Sequence, residues 1–287
     1  MTLRLGRHHF DDDTPLIMAI VNRTPDSFYD RGATWADDAA YARVSQVIAE
    51  GAQIVDIGGV KAGPGAAVDP AEEQARVVDL VARIRTEYPQ VVISVDTWRA
   101  EVADAVCHAG ADLINDAWGG ADPDLVHVAA THDVALVCTH TGGMTPRTAP
   151  YRVTYDDVVA DVITATTSYA HRALAAGVAR ESLLIDPAHD FGKTTFHSLE
   201  ITRRLNELVA TGWPVLVSLS HKDFIGETLD AALDDRLLGT LAATTACALA
   251  GARVYRVHDV PPTLQTLDMA WSIAGRRPPA RAIRGLE

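Results

Sequence analysis

The sequence predicts a closed (β/α)8 barrel, and three observations carry that prediction. Eight short apolar runs recur along the chain, at residues 16–22, 53–59, 91–97, 113–119, 135–140, 183–188, 214–220 and 253–259. Each has strand length and is nearly continuous in apolar residues, as strands covered on both faces are. Helical patterns alternate with them, as at 71–87, where Val77, Leu80, Val81 and Ile84 share a face that Glu72, Glu73, Arg76 and Arg83 avoid. Five glycines, Gly51, Gly110, Gly177, Gly212 and Gly251, stand shortly before the next apolar run. Glycine suits the left-handed residue that ends a helix, where a Cβ would clash. Eight βα units in about 250 residues match the size of such a barrel.

The runs can be followed in order. The first ends at Asn22 and continues Arg23-Thr24-Pro25. An open doubly wound sheet, the structural alternative, would normally place a GxGxxG turn there. The second carries Asp56 before Gly58-Gly59, the third Asp96, the fourth Asn115 and Asp116, the fifth His140 and the sixth Asp186. The seventh ends at Ser220, and the eighth carries Arg256 and His258, which alternate and so share a face. Asp, Asn and Ser are also the favoured helix caps. Here most of the strand ends carry a polar residue, several inside the apolar run. A barrel gathers these ends around one mouth, where its enzymes place their sites. The whole chain, 1–287, reads as a single barrel domain with residues 1–15 as an N-terminal extension; no linker, low-complexity stretch or longer repeat interrupts it.

Composition narrows the partners. Of 287 residues 48% are hydrophobic and 22% charged, and 38 acidic against 25 basic side chains give a net charge of −13. That balance repels a nucleic-acid backbone and an anionic membrane surface alike, so neither is an expected partner. No apolar run approaches the roughly 18 residues of a membrane span. Cys107, Cys138 and Cys247 are odd in number and widely separated, which reads as reduced thiols in a cytoplasmic protein.

The strand-end motifs resemble those of the dihydropteroate synthase family, which joins 6-hydroxymethyl-7,8-dihydropterin pyrophosphate to 4-aminobenzoate with loss of pyrophosphate. The resemblance runs from about residue 16 to 275. It rests on Asn22-Arg23-Thr24-Pro25-Asp26-Ser27-Phe28, Asp56-Ile57-Gly58-Gly59, Ser94-Val95-Asp96-Thr97, Ile114-Asn115-Asp116, Asp186-Pro187 with Phe191-Gly192-Lys193-Thr194, Ser220-His221-Lys222 with Phe224-Ile225-Gly226, and Arg256-Val257-His258-Asp259-Val260. It implies that Asp96, Asn115 and Asp186 bind the donor-rich edge of the pterin, while Lys222 donates to ring acceptors and Arg256 covers the ring. It further implies that Arg256 and His258 bind the pyrophosphate, with Asn22 helping to hold Mg²⁺ against it. Lys222, Arg256 and His258 would thus carry the chemistry: stabilising the leaving anion and the pterin methylene cation while the amine attacks. Pro64, Phe191 and Ser220 fall on the aminobenzoate side, and loops 24–35 and 60–68 would close over it. A homodimer through the later helices is also implied; the Ala-rich apolar segment 237–249 could pack there or in the core.

Departures from the family pattern cluster on one substrate. Where the family continues Asp-Ile-Gly-Gly with Glu-Ser-Thr-Arg-Pro-Gly, this chain has Val60, Lys61, Ala62, Gly63, Pro64 and Gly65. The hydroxyl and guanidinium that help to build the aminobenzoate subsite are therefore absent at Ala62 and Gly63. Thr139-His140-Thr141 replaces Met-His-Met, His221-Lys222-Asp223 replaces Arg-Lys-Ser, and Ala188-His189-Asp190 replaces small and apolar residues. The expected protein is a divergent homologue that keeps the pterin pyrophosphate site and condenses weakly or not at all. A working synthase, with Lys61 or His221 supplying the missing charge, is the alternative. A pterin-binding methyl-transfer domain and a non-catalytic interaction protein are the readings from outside that class.

Overall fold

The computed structural model describes residues 2–12, 14–24, 34, 36–148 and 153–285. Eight parallel strands follow one another around the sheet in chain order: β1 (Leu16–Asn22), β2 (Ile54–Gly58), β3 (Val92–Asp96), β4 (Leu113–Asp116), β5 (Ala135–Thr139), β6 (Leu183–Asp186), β7 (Leu216–Ser218) and β8 (Val254–Val257). β8 returns to pair with β1, so that Val254 lies opposite Leu16. The remaining seam, β6 to β7, is closed by a parallel bridge between Ile185 and Val215 and by the Ile185 N–H donating to the Pro214 carbonyl at 2.9 Å. The sheet is thus a barrel, and the open-sheet alternative is excluded.

Helices pack around it, among them α1 (Asp37–Ala49), α2 (Pro70–Glu87), α3 (Ala100–Ala109), α4 (Leu125–Thr131), α5 (Val158–Ala176), α6 (Thr195–Arg203), α7 (Leu205–Val209), α8 (Asp223–Leu229), α9 (Leu237–Ala250) and α10 (Val260–Ile273). Their caps are local. Asp69 accepts from the Glu72 N–H ahead of Pro70, Asp157 opens α5, and Thr194 makes a capping box with His197. All five predicted stop glycines have positive φ, between 77° and 114°.

Two apolar layers divide the strand residues by parity. Outward residues such as Ile57, Val95, Ile114 and Cys138 pack under the helices. Inward ones, Leu16, Met18, Ile54, Val92, Leu113, Ala135, Val137, Leu184, Leu216 and Val254, fill the barrel. The N-terminal extension seals the lower end: strands Leu3–Leu5 and His8–Phe10 form an antiparallel hairpin, and Leu3 and Leu5, fully buried, join the inward cluster. Arg4 pairs with Asp133 at 2.6 Å on the same floor. No helix among the described residues is long and apolar enough to cross a membrane.

Candidate active site

Parity decides which strand-end side chains reach the interior. Continuing the inward positions toward the C-terminal ends gives Asn22 on β1, Asp56 on β2, Ser94 and Asp96 on β3, Asn115 on β4, Thr139 on β5, Asp186 on β6, Ser218 on β7 and Arg256 on β8. The lower barrel is apolar and its mouth is polar.

Asp56 is the hub, a role the sequence did not reveal. It is fully buried; Arg256 Nε donates to its Oδ2 at 2.6 Å, Asn115 Nδ2 to the same oxygen at 3.2 Å, and the Ser94 hydroxyl to Oδ1. Arg256 Nη2 donates to Asp96 Oδ2 at 3.0 Å, and among the described residues no hydrogen bond is made by Nη1 of this cavity-lining side chain. Burial opposes the charge on Arg256, but Asp56 and Asp96 outweigh it and raise its pKa. Burial likewise pushes the Asp96 carboxyl up to about 7; Arg256 pulls it down, and Asp56, Glu73 and Asp116 push it further up.

On the opposite wall, Asp186 accepts the Ala188 N–H at 2.7 Å and is raised by burial against the pull of Lys222. Lys222, half-buried at the start of α8, donates to the His189 carbonyl and lies 5.0 Å from the centre of the Phe191 ring. Its pKa is lowered by burial, with Asp190 and Asp186 opposing. The loop between β6 and α6 is tied from behind by Lys193, which donates to the carbonyls of Ala188 at 3.0 Å and Phe191 at 2.8 Å and touches His140 Nδ1 at 2.8 Å. His140, read as the polar end of the fifth strand, has outward parity and meets Asp161 at 2.7 Å; the inward polar group of β5 is Thr139. Asp116 also turns outward, holding the Tyr169 hydroxyl and the Trp118 and Gly120 amides.

These residues border a cavity of about 400 Å³ lined by Asn22, Asp96, Asn115, Asp186, Lys222, Arg256 and His258, and by Pro64 and Phe191 of the second-substrate side. Ser220 stands behind His258, its hydroxyl meeting His258 Nδ1 at 3.0 Å and accepting the His258 N–H at 3.2 Å, so it orients the imidazole from outside the lining. Burial holds His258 well below the usual imidazole range, with Arg256 adding to the effect. Gly58 lies between Asp96 and Asn22; a Cβ there would come within 3.9 Å of Asn22 Oδ1 and 3.8 Å of the Asp96 Cβ.

The outer rim differs in kind. Val60, Lys61, Ala62 and Gly63 form one lip, and Asp190, His221 and Asp223 the other. Asp190 Oδ2 accepts the Asp223 N–H at 2.7 Å and the Phe224 N–H at 3.3 Å, capping α8. His221 meets Asp259 at 2.7 Å; burial opposes its charge, but Asp259 and the Leu233 carbonyl raise its pKa. Asp223 is bound by Arg236 Nη1 at 2.8 Å, a guanidinium that the sequence did not place at the rim, and the same nitrogen donates to the His221 carbonyl at 2.9 Å. The rim charges thus neutralise one another. Arg147 donates to the Ala66 carbonyl and Arg99 to the Val68 carbonyl, fastening the 60–68 loop. Of the loop after β1, residues 25–33 and 35, including Pro25, Asp26, Ser27 and Phe28 of the motif, lie outside the described residues.

Comparison with known proteins agrees with this geometry. Residues 18–258 match the profile of the family described as pterin binding enzyme. The chain belongs to that family. Within it, the chain is 59% identical over 278 residues, 96% of each chain, to a Mycobacterium leprae protein named inactive dihydropteroate synthase 2. Its fold superimposes on Yersinia pestis dihydropteroate synthase, solved with a sulfonamide drug complex, with a TM-score of 0.89 at 32% identity, covering 96% of this chain and 100% of the other. It is similarly close to Xanthomonas albilineans dihydropteroate synthase solved with 4-aminobenzoic acid, with a TM-score of 0.86 at 36% identity and coverage of 96% and 99%. The expected resemblance and barrel are both borne out: the protein is a dihydropteroate synthase homologue.

Proposed function

We propose that this homologue binds 6-hydroxymethyl-7,8-dihydropterin pyrophosphate in the deep half of the cavity and condenses it with 4-aminobenzoate weakly or not at all. One observation carries the reading: the polar ring is complete across β2, β3, β4, β6 and β8, whereas the rim has no side-chain donor at Ala62 or Gly63. The pterin amino group and ring N–H groups find acceptors in Asp96, Asn115 and Asp186, and Lys222 serves the ring acceptors. Arg256 Nη1 and His258 face the diphosphate. Asn22 offers an amide oxygen beside Gly58, a donor set that suits Mg²⁺ when phosphate oxygens fill most of its coordination, and the ion would supply further positive charge to the leaving group. Oriented donors at a closing site are worth roughly 10²-fold each in rate, so their loss at the rim falls on the condensing step. The mycobacterial relative named inactive supports this reading. Lys61 on the lip supports the second one, a working synthase.

The protein would act in the cytoplasm as a homodimer. Support for the latter comes from Leu238, Leu249, Met269 and Ile273, which stand exposed on α9 and α10. The deciding experiment measures pyrophosphate release from the dihydropterin substrate with Mg²⁺, with and without saturating 4-aminobenzoate. The expected result is pterin binding with little amine-dependent release; release at an ordinary enzymatic rate would establish the working synthase.

A further inference from the structure

At the floor end of the barrel, opposite the cavity mouth, α3 and α4 bring two imidazoles and a carboxylate together. Asp104 and His108 stand four residues apart on α3 and so share one face of it, and His132 is the residue that closes α4. Asp104 Oδ1 meets His132 Nε2 at 2.7 Å, and its Oδ2 lies 3.5 Å from His108 Nδ1. The same Nδ1 lies 2.9 Å from the Asp104 carbonyl oxygen, which fixes the His108 ring on that face. The two imidazoles meet edge to face with centroids 4.6 Å apart. One potential ligand atom from each of the three side chains lies within 4.8 Å of the others, the one such group of His, Cys, Asp or Glu among the described residues.

We propose that Asp104, His108 and His132 form a binding site for one divalent transition metal ion of the zinc class, separate from the cavity and from any ion held beside Asn22. The donor set selects the metal: two imidazole nitrogens with a single carboxylate suit zinc and its neighbours, whereas magnesium takes oxygens. Donors at roughly 2.0–2.1 Å on a tetrahedral ion stand about 3.3 Å apart, and the contacts at 2.7 and 3.5 Å bracket that spacing. The ion takes the place of protons shared in those contacts, and water completes its fourth position. The side chains of His108 and Asp104 are 70% and 52% exposed, which gives the ion a way in, while His132, 15% exposed, anchors the site to the body of the fold. Bound there, the ion joins α3 to the turn after α4. The next residue of that turn, Asp133, has a left-handed φ of 53° and pairs with Arg4 of the floor hairpin. The site is thus a staple for the floor and takes no part in the chemistry at the mouth.

The test is calorimetric titration of the full chain, stripped of metal with a chelator and carrying no affinity tag, with zinc chloride in the presence and absence of magnesium chloride. Wild type is compared with His108→Ala and Asp104→Asn. The expected result is one zinc ion per wild-type chain with a dissociation constant of about 10 µM or tighter, weakened at least about tenfold in each variant and unaffected by magnesium. Saturating zinc should raise the thermal midpoint of wild type and leave that of either variant in place. Both substitutions fall on exposed side chains, so the metal-free midpoints should lie within about 2 °C of wild type, which separates lost ligation from lost folding. Absence of saturable zinc binding by wild type below about 1 mM overturns the proposal. So does an affinity unchanged in both variants, which would put the ion on other side chains. Either result leaves the pterin reading untouched, because the cavity opens at the other end of the barrel.

Discussion

The deep wall and the outer rim of one cavity are built on different plans. In the wall, each strand from β2 to β4 and β8 delivers a polar side chain to a buried network in which Asp56 binds three donors and Arg256 spans two carboxylates. On the rim, charged groups come from loops and helix ends and cancel locally: His221 with Asp259, Asp223 with Arg236, Asp190 with the first amides of α8. The wall is therefore expensive to alter, since each member leaves another buried without its partner. The rim can change one residue at a time. The proposed loss of condensation falls on this rim, where single replacements cost least.

The comparison can be broken most forcefully at Arg256. Arg256→Ala strands Asp56 and Asp96, and should cost about 3–5 kcal/mol in folding stability by denaturant titration; a loss below 1 kcal/mol would mean that the wall is no more coupled than the rim. Next in size is repair of the lip. The double variant Ala62→Thr with Gly63→Arg should raise amine-dependent pyrophosphate release by up to about 10²-fold while leaving pterin affinity within about twofold. An unchanged rate would move the defect away from this loop.

Acidity offers a third test. Because burial raises the Asp96 carboxyl to about 7, the folded protein holds that proton more tightly than the unfolded chain does. Asp96 thus favours folding at low pH and withdraws that contribution as pH rises through about 7. Binding has the opposite sign, since a donor edge requires the carboxylate. Dihydropterin affinity should fall about tenfold per unit of pH below 7, and Asp96→Asn should flatten the profile. The smallest effect belongs to the rim: Asp190→Ala removes the α8 cap and should cost about 1 kcal/mol of stability, with pterin affinity unchanged by titration.

Much of the fold could be read in the sequence because each barrel strand declares itself by its apolar run, and five of the eight also by a glycine shortly before it. The run at 16–22 matches β1 to the residue; that at 214–220 shrinks to Leu216–Ser218 because its ends turn away to meet β6 and to prop His258. Parity tells which strand-end side chains face inward. Counting by twos from Ala135 and Val137 leads to Thr139, not His140, and counting from Ile54 leads to Asp56. The roles of Asp56 and Arg236 depend on partners about 200 and 13 residues away, which no local pattern reports.

The hairpin at the floor carries a consequence for the order of folding. Leu3 and Leu5 are made before any barrel strand, yet the cluster they join includes Leu216 and Val254. During synthesis those two leucines must wait, solvent-exposed or provisionally housed, until nearly the whole chain has emerged. Sealing the floor is thus a long-range event at the end of assembly rather than a local one at its start. The hairpin thus reports on whether the last barrel strand has arrived.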